Sequence, residues 1–108
     1  EKHLQIPDTR SLAAPTFTHF LCDKNGRTMI EIYNNPKVTV PDYFAIDPLV
    51  LHLAFSVENV KETRARLIVA GAKAEGDVAL TDAGDELAML RDPWGFSIQL
   101  VKRREPML

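Results

Sequence analysis

The sequence predicts an α+β fold in which one helix accompanies seven short strands. Three observations support this prediction. A clear helical pattern occurs only in residues 59–70, the second half of the chain follows the order β-α-β-β-β, and a strand-turn-strand hairpin occurs twice. Strands that precede and follow a single helix are typical of α+β domains.

The composition is that of one ordinary globular domain. The 108 residues are 45% hydrophobic and 26% charged, and the formal net charge is −2. This charge gives no electrostatic reason to expect nucleic acid or a membrane surface as a partner. The single Cys22 cannot form an internal disulfide, and no apolar run reaches the ~20 residues that a membrane span needs. A cytoplasmic protein is therefore expected.

The first third of the chain is expected to be β-structure. Residues 2–6 and 17–22 are apolar or β-branched runs, and the stretch PDTRSLAAP between them has the composition of a loop. The pair Asn25-Gly26 is a strong hairpin signal before the strand RTMIEIYN. Three prolines make residues 35–48 an irregular connection. Because EKHLQIP does not begin with Met, the sequence is expected to be processed, truncated or cloned as a fragment.

The second half begins with the strand LVLHLAFSV, followed by the helix of residues 59–70. Asn59 followed by Glu62 indicates the N-terminal cap, and Gly71 suits the C-terminal end. The strands KAEGDVAL, DELAMLR and FSIQLVKR follow, separated by the turns TDAG and DPWG. The helix is expected to pack on its sheet through three side chains: Val60, Leu67 and Ile68.

The hairpin repeat joins the two halves. FLCDKNGRTMIEIY and MLRDPWGFSIQLV both contain an apolar strand end, Asp, two residues, Gly and a strand with one polar residue among aliphatics. With one inserted residue in the first copy, the repeat equates Asp23 with Asp92, Gly26 with Gly95 and Glu31 with Gln99.

Alternation along three strands places one polar side chain on the face that the helix does not need. His52 shares its face with Ala54, whereas the neighbouring leucines point the other way. Glu31 and Gln99 are likewise flanked by aliphatic residues that point to the opposite face. A shared concave cavity explains these three side chains together.

These features together resemble the vicinal oxygen chelate superfamily. The features are the βαβββ order, the His in LHLAF, the DPWG turn and the polar residue in the strand that follows it. This superfamily includes glyoxalase I, methylmalonyl-CoA epimerase, extradiol dioxygenases and the fosfomycin and bleomycin resistance proteins. The resemblance covers nearly the whole chain, although no single motif carries it.

The resemblance implies paired βαβββ modules with curved mixed sheets enclosing a cavity, the first module being incomplete. Residues 1–108 would then form one domain. Residues 1–34 would be a partial first module without its first strand and helix, residues 35–49 a linker, and residues 50–104 the second module.

The resemblance also implies a metal site. A divalent ion, Zn, Ni, Co, Mn or Fe, would be bound by Glu31, His52 and Gln99, with Glu31 also the catalytic base. The family's fourth ligand would precede residue 1, which leaves three explanations open: a missing segment, a strand from a partner chain, or a site without that ligand. Four further side chains are expected to contact a small-molecule substrate: His19, Met29, Tyr33 and Trp94.

Each candidate has a simpler structural alternative. His52 could be a core histidine bonded to a backbone carbonyl, and Gln99 a solvated strand residue. Glu31 could pair with Arg27 or a lysine. His19 could be an ordinary strand residue, and Trp94 could cover an apolar edge.

The function implied is a metal-dependent lyase or isomerase of the glyoxalase type, acting on a small carbonyl or carboxylate substrate. One alternative is a metal-free protein that sequesters a drug or metabolite, and another is a folded remnant without activity. An iron dioxygenase is less expected, because two histidines and a carboxylate would leave no need for Gln99. An unpaired sheet edge and an uncovered sheet face predict a homodimer.

Overall fold

The computed structural model describes residues 2–8 and 16–107. The chain forms two compact units, Glu1–Val40 and Pro41–Leu108. The boundary between them falls within the predicted linker of residues 35–49. Most of the predicted loop PDTRSLAAP lies outside the described residues.

The N-terminal unit contains a three-stranded antiparallel sheet in the order β1-β2-β3. Its strands are β1, Lys2–Asp8, β2, Thr16–Cys22, and β3, Thr28–Asn34. Strand β1 extends two residues beyond the predicted run. Pro7 is tolerated there because β1 is an edge strand. On the open side of an edge strand no neighbouring strand requires the backbone N–H that proline lacks.

The hairpin between β2 and β3 is organised by one carboxylate. Asp23 Oδ1 accepts hydrogen bonds from the backbone N–H of Asn25, at 2.8 Å, and of Arg27, at 2.9 Å. The Gly26 N–H donates to the Asp23 carbonyl at 3.0 Å, and the Asp23 N–H donates to the Arg27 carbonyl at 2.9 Å. Gly26 has φ +80°, a conformation that glycine adopts without a Cβ penalty. The predicted turn is confirmed.

The C-terminal unit contains a short 3-10 helix at Tyr43–Ala45, one α-helix among its described residues, and a four-stranded sheet. The elements are β4, Leu53–Ser56; α1, Val60–Val69; β5, Lys73–Leu80; β6, Glu86–Arg91; and β7, Ser97–Lys102. The strand order is β4-β7-β6-β5, with β4 parallel to β7 and the other pairs antiparallel. The predicted βαβββ order and mixed sheet are confirmed.

Helix α1 begins and ends as the sequence predicts. The side chain of Asn59 accepts a hydrogen bond from the Glu62 N–H at 3.0 Å, which satisfies one of the free donors of the first turn. At the other end Gly71 has φ +112° and donates its N–H to the Ile68 carbonyl at 3.0 Å.

The core of this unit lies between α1 and the sheet. It is formed by four buried side chains: Val60, Ala88, Leu90 and Leu100. Leu67 packs against them, but Ile68 is 38% exposed, so its predicted place in the core is wrong. At 100° per residue Ile68 lies about 80° from Val60 around the helix axis, whereas Leu67 lies within about 20°. The half-buried Arg64 occupies the inner face instead.

The hairpin between β6 and β7 repeats the hydrogen bonds of the first. Asp92 Oδ1 accepts from the N–H of Trp94 and of Phe96, both at 2.9 Å. The Gly95 N–H donates to the Asp92 carbonyl at 3.0 Å, and the Asp92 N–H donates to the Phe96 carbonyl at 2.8 Å. Gly95 has φ +94°. The predicted repeat therefore extends to each backbone bond of the turn.

Candidate functional site

His52 precedes strand β4, although the sequence predicted that it lies within it. Asp47 explains the late start of the strand. Its carbonyl accepts from the N–H of Val50 and Leu51, and its Oδ1 accepts from the Leu49 N–H at 2.8 Å. This turn occupies residues that the apolar run LVLHLAFSV assigned to the strand.

The imidazole of His52 is oriented by a backbone carbonyl. Its Nδ1 lies 2.6 Å from the Pro48 oxygen. Because a carbonyl oxygen can only accept, Nδ1 is the donor, and in the neutral imidazole Nε2 is then left as an acceptor. This is the bond expected of a core histidine, and it is also the bond that fixes the tautomer of metal-binding histidines. His52 is half-buried.

Gln99 lies in the middle of β7, a strand paired on both sides. It is opposite Ala54 of β4 and opposite Met89 of β6. Its neighbour Leu100 belongs to the core under α1, so Gln99 lies on the other face of the sheet. Gln99 therefore lies opposite Ala54 on the neighbouring strand, and His52 lies two residues before Ala54, just outside that strand.

Glu31 occupies the matching position of the other hairpin. It pairs with Phe20, as Gln99 pairs with Met89. The first copy of the repeat has one residue more than the second, and this extra residue forms a β-bulge. Cys22 pairs with Thr28, but Leu21 pairs with Ile30. The sequence did not locate this bulge. The side chain of Glu31 is exposed. Its carboxylate therefore stays hydrated, and its charge costs no desolvation energy.

The predicted substrate-binding residues of the N-terminal unit lie on both faces of its sheet. Tyr33 is two residues from Glu31 along β3 and shares its face, and Met29 is the extra residue at the bulge; they are 52% and 63% exposed. His19 pairs with Ile32 and therefore lies on the face opposite Glu31. The role of His19 in substrate binding stays a prediction. Its position on the face opposite Glu31 does not favour that role.

Trp94 lies in the β6–β7 turn and is 75% exposed. Its backbone belongs to the turn described above, and its side chain is available to solvent. Its predicted contact with substrate stays a prediction.

Sequence reasoning missed a buried cation, Arg91, at the end of β6. The residue is 8% exposed and donates from Nε to Glu75 Oε1, from Nη1 to the carbonyls of Tyr43 and Gly95, and from Nη2 to the carbonyl of Ile46. One signal was present in the sequence. In DELAMLR, Arg91 lies on the same strand face as Leu87 and Met89, so a charged residue continues an apolar face.

A depression of about 310 Å³ lies beside the start of α1. It is lined by Val57, Glu58, Asn59, Glu62, Thr63 and Arg66, none of them a predicted site residue. Within residues 2–8 and 16–107, no three His, Cys, Asp or Glu side chains are grouped closely enough to hold a metal ion. In the same part of the chain, no helix is long and apolar enough to span a membrane.

Comparison with known proteins identifies the fold. A scan against protein-family models finds no match, and a search of curated proteins finds none. Among solved structures, the chain is similar to the crystal structure of a glyoxalase family protein from Bacillus cereus, with a TM-score of 0.68 and 22% identity over 82% of this chain. The chain has a glyoxalase fold. It spans 62% of the length of the Bacillus cereus protein.

A second structure, that of SMU.1112c, is 24% identical over 81% of this chain and 70% of its own length. Its TM-score of 0.47 is too low to add to the assignment. The similarity to the Bacillus cereus structure thus confirms the fold that the sequence resemblance implied. The enclosure of a cavity by two modules of the glyoxalase fold stays a prediction.

Proposed function

We propose that this protein is a metal-dependent lyase or isomerase of the glyoxalase type, acting on a small carbonyl or carboxylate compound. The observation that carries the proposal is the equivalence of Glu31 and Gln99. The two residues take the same register position in hairpins whose turns make the same backbone bonds. Such a repeat gives each hairpin one oxygen donor at the same position, a carboxylate in the first hairpin and an amide in the second.

The donor set is chemically suited to a divalent ion. His52 offers Nε2, Gln99 a neutral oxygen and Glu31 a charged oxygen, a mixture that Zn, Ni, Co, Mn and Fe accept. The hydrogen bond to Pro48 supports the role of His52, because it leaves Nε2 as the acceptor. When bound, such an ion supplies positive charge that polarises a substrate carbonyl.

Glu31 is the proposed general base. Its carboxylate accepts a proton from the carbon next to the substrate carbonyl and returns it to the neighbouring carbon on the same face. Gln99 cannot exchange roles with it, because an amide has no useful basicity near neutral pH. The exposed position of Glu31 in the described structure leaves its carboxylate accessible to a substrate.

Metal titration tests the ligand assignment. Purified protein is titrated with Zn²⁺, Ni²⁺, Co²⁺, Mn²⁺ and Fe²⁺ by calorimetry, alongside His52→Ala, Gln99→Ala and the control His19→Ala. We expect His52→Ala to weaken binding by at least about tenfold, and His19→Ala to leave it unchanged. Equal binding by the wild type and His52→Ala would remove His52 from the site.

Proton exchange tests the base. The probes are the glutathione hemithioacetal of methylglyoxal and a malonyl-type thioester, each in D₂O. Glu31→Gln is expected to slow deuterium incorporation at the carbon acid by about 10²-fold while metal stays bound. Gln99→Glu is the matched variant, since it adds a carboxylate to the equivalent position. Wild-type exchange by metal-loaded Glu31→Gln would exclude Glu31 as the base.

A metal-free binding protein is the second candidate. One observation favours it: the last-strand position of the second hairpin is Gln99, whose neutral amide is a weak metal ligand compared with a carboxylate. On this alternative the sheet face that carries Gln99 and Met89 would contact an apolar drug or metabolite. Tight binding of such a compound by protein stripped with chelator, without any metal affinity, would establish it.

A homodimer is proposed as the assembly. The segment before and within β4 exposes several apolar side chains: Leu49 at 83%, Val50 at 79%, Leu51 at 43% and Leu53 at 40%. Strand β4 is also an edge of its sheet, and exposed edges and apolar patches commonly mark interfaces. Light scattering is expected to give twice the chain mass of 12.1 kDa. A constant monomer mass over a wide concentration range would contradict this.

A further inference from the structure

The buried guanidinium of Arg91 bonds to the connection that leads to His52. One terminal nitrogen donates to the Tyr43 carbonyl at 2.8 Å and to the Gly95 carbonyl at 2.9 Å, and the other donates to the Ile46 carbonyl at 3.1 Å. Arg91 therefore joins the β6–β7 hairpin to two points of the chain before β4.

Aromatic packing holds the same connection against the hairpin. The Tyr43 and Phe96 rings meet edge to face with centroids 5.1 Å apart. A Cβ added to Gly95 would lie 2.5 Å from the Phe44 ring and 2.8 Å from the Phe44 backbone nitrogen. Phe44 thus packs directly against the glycine of the turn, and the connection has little freedom to shift there.

Only one residue separates the last Arg91 contact from the carbonyl that orients His52. Ile46 accepts from Arg91, Asp47 closes the turn over residues 48–50, and the Pro48 oxygen accepts from His52 Nδ1. A displacement of Ile46 would therefore move the Pro48 oxygen. The orientation of the His52 ring depends on that oxygen.

We propose that Arg91 is a positioning residue for His52: by binding the Tyr43 and Ile46 carbonyls, it fixes the Pro48 oxygen and hence the ring orientation that leaves Nε2 as an acceptor. The consequence for metal binding rests on the proposed function. The effect on the tautomer does not, because it is a property of the chain alone.

The role requires arginine rather than any cation. A guanidinium presents five N–H donors in one plane and can bind the Glu75 carboxylate and three carbonyls at once. A lysine ammonium has three donors on a flexible stem and cannot bind all four. Arg91→Lys thus keeps the charge beside Glu75 but loses part of the carbonyl contacts.

The test is the tautomer of His52, read from ¹⁵N–¹H long-range correlation spectra of metal-free protein. The wild type is expected to show the Nδ1–H form. Arg91→Lys is expected to shift the His52 signals towards the Nε2–H form, and Arg91→Gln, which keeps amide donors without charge, to shift them too. Unchanged His52 signals in the folded Arg91 variants would overturn the proposal.

Two control variants separate positioning from general destabilisation. Arg64→Lys changes another arginine of this unit that donates to a backbone carbonyl, that of Gly76 at 3.1 Å. Glu75→Gln removes the ion-pair partner of Arg91 but leaves its carbonyl contacts possible. Both are expected to leave the His52 signals unchanged. If either shifts them as far as Arg91→Lys does, the effect is general and the proposal is wrong.

Zinc titration of the same proteins then separates this inference from the proposed function. Arg91→Lys is expected to weaken Zn²⁺ binding by about tenfold relative to the wild type, the usual effect of changing a residue that orients a ligand. A tautomer shift with no Zn²⁺ binding by any of the proteins would reject the metal site but support the positioning role. Zn²⁺ binding with no tautomer shift would support the metal site but reject the positioning role of Arg91.

Discussion

The two hairpins of this chain share their turns but differ in what packs against them. In both turns one aspartate accepts two backbone N–H groups and a glycine adopts positive φ. A Cβ at Gly26 would meet nothing within 4 Å, whereas one at Gly95 would collide with Phe44. Turn geometry is therefore encoded locally, while the surroundings of a turn depend on a distant segment.

The largest contrast is expected from the two glycines. Gly26→Ala should cost about 1 kcal/mol, because only the positive φ opposes a side chain there. Gly95→Ala should cost about 3 kcal/mol or more, since overpacking against Phe44 is added. Urea unfolding followed by NMR signals of each hairpin measures both. Equal losses would show that the Phe44 contact is unimportant.

The second contrast lies one residue before each aspartate, where Arg91 and Cys22 are equivalent. Arg91→Met should destabilise the C-terminal unit by about 2–4 kcal/mol, because it removes a buried network and leaves carbonyls without donors. Cys22→Ser should cost under about 1 kcal/mol, since the half-buried Cys22 makes weak sulfur contacts with Phe20 and Thr28 within the part of the chain that the structure describes. Urea unfolding followed by NMR signals of each hairpin measures both losses of stability. A comparable loss for Cys22→Ser would contradict the contrast.

The aspartates themselves should behave alike. Asp23→Ala and Asp92→Ala each remove two hydrogen bonds of 2.8–2.9 Å to backbone N–H groups. Each change should cost about 1–2 kcal/mol. Asp→Asn variants, which keep one acceptor oxygen, serve as controls and should lose less. A large difference between the two alanine variants would mean that the turns are not energetically equivalent.

The smallest effect is expected from deleting Met29, the extra residue of the β3 bulge. The deletion makes the β2–β3 ladder as regular as β6–β7, so the stability should change by no more than about 1 kcal/mol. Nuclear Overhauser contacts between Phe20 and Glu31 should persist. Their replacement by contacts between Phe20 and Ile32 would show that the bulge sets the face of Glu31.

The sequence determined the features whose hydrogen bonds join residues only a few positions apart. Asn59 and Gly71 indicated the ends of α1, and the spacing from Asp to Gly indicated both turns. The repeat also predicted the equivalence of Glu31 and Gln99, because side-chain alternation in a paired strand follows from the turn. These interactions need no knowledge of the rest of the fold.

Only the tertiary structure decided how the connection before β4 is held. Arg91 reaches carbonyls 45 and 48 positions earlier in the chain, and no local pattern specifies such a pair. The late start of β4, which places His52 outside the strand, depends on the Asp47 turn that follows these contacts. Backbone acceptors carry no residue identity, so the sequence cannot show which carbonyls a buried guanidinium will bind. That choice is made when the chain packs.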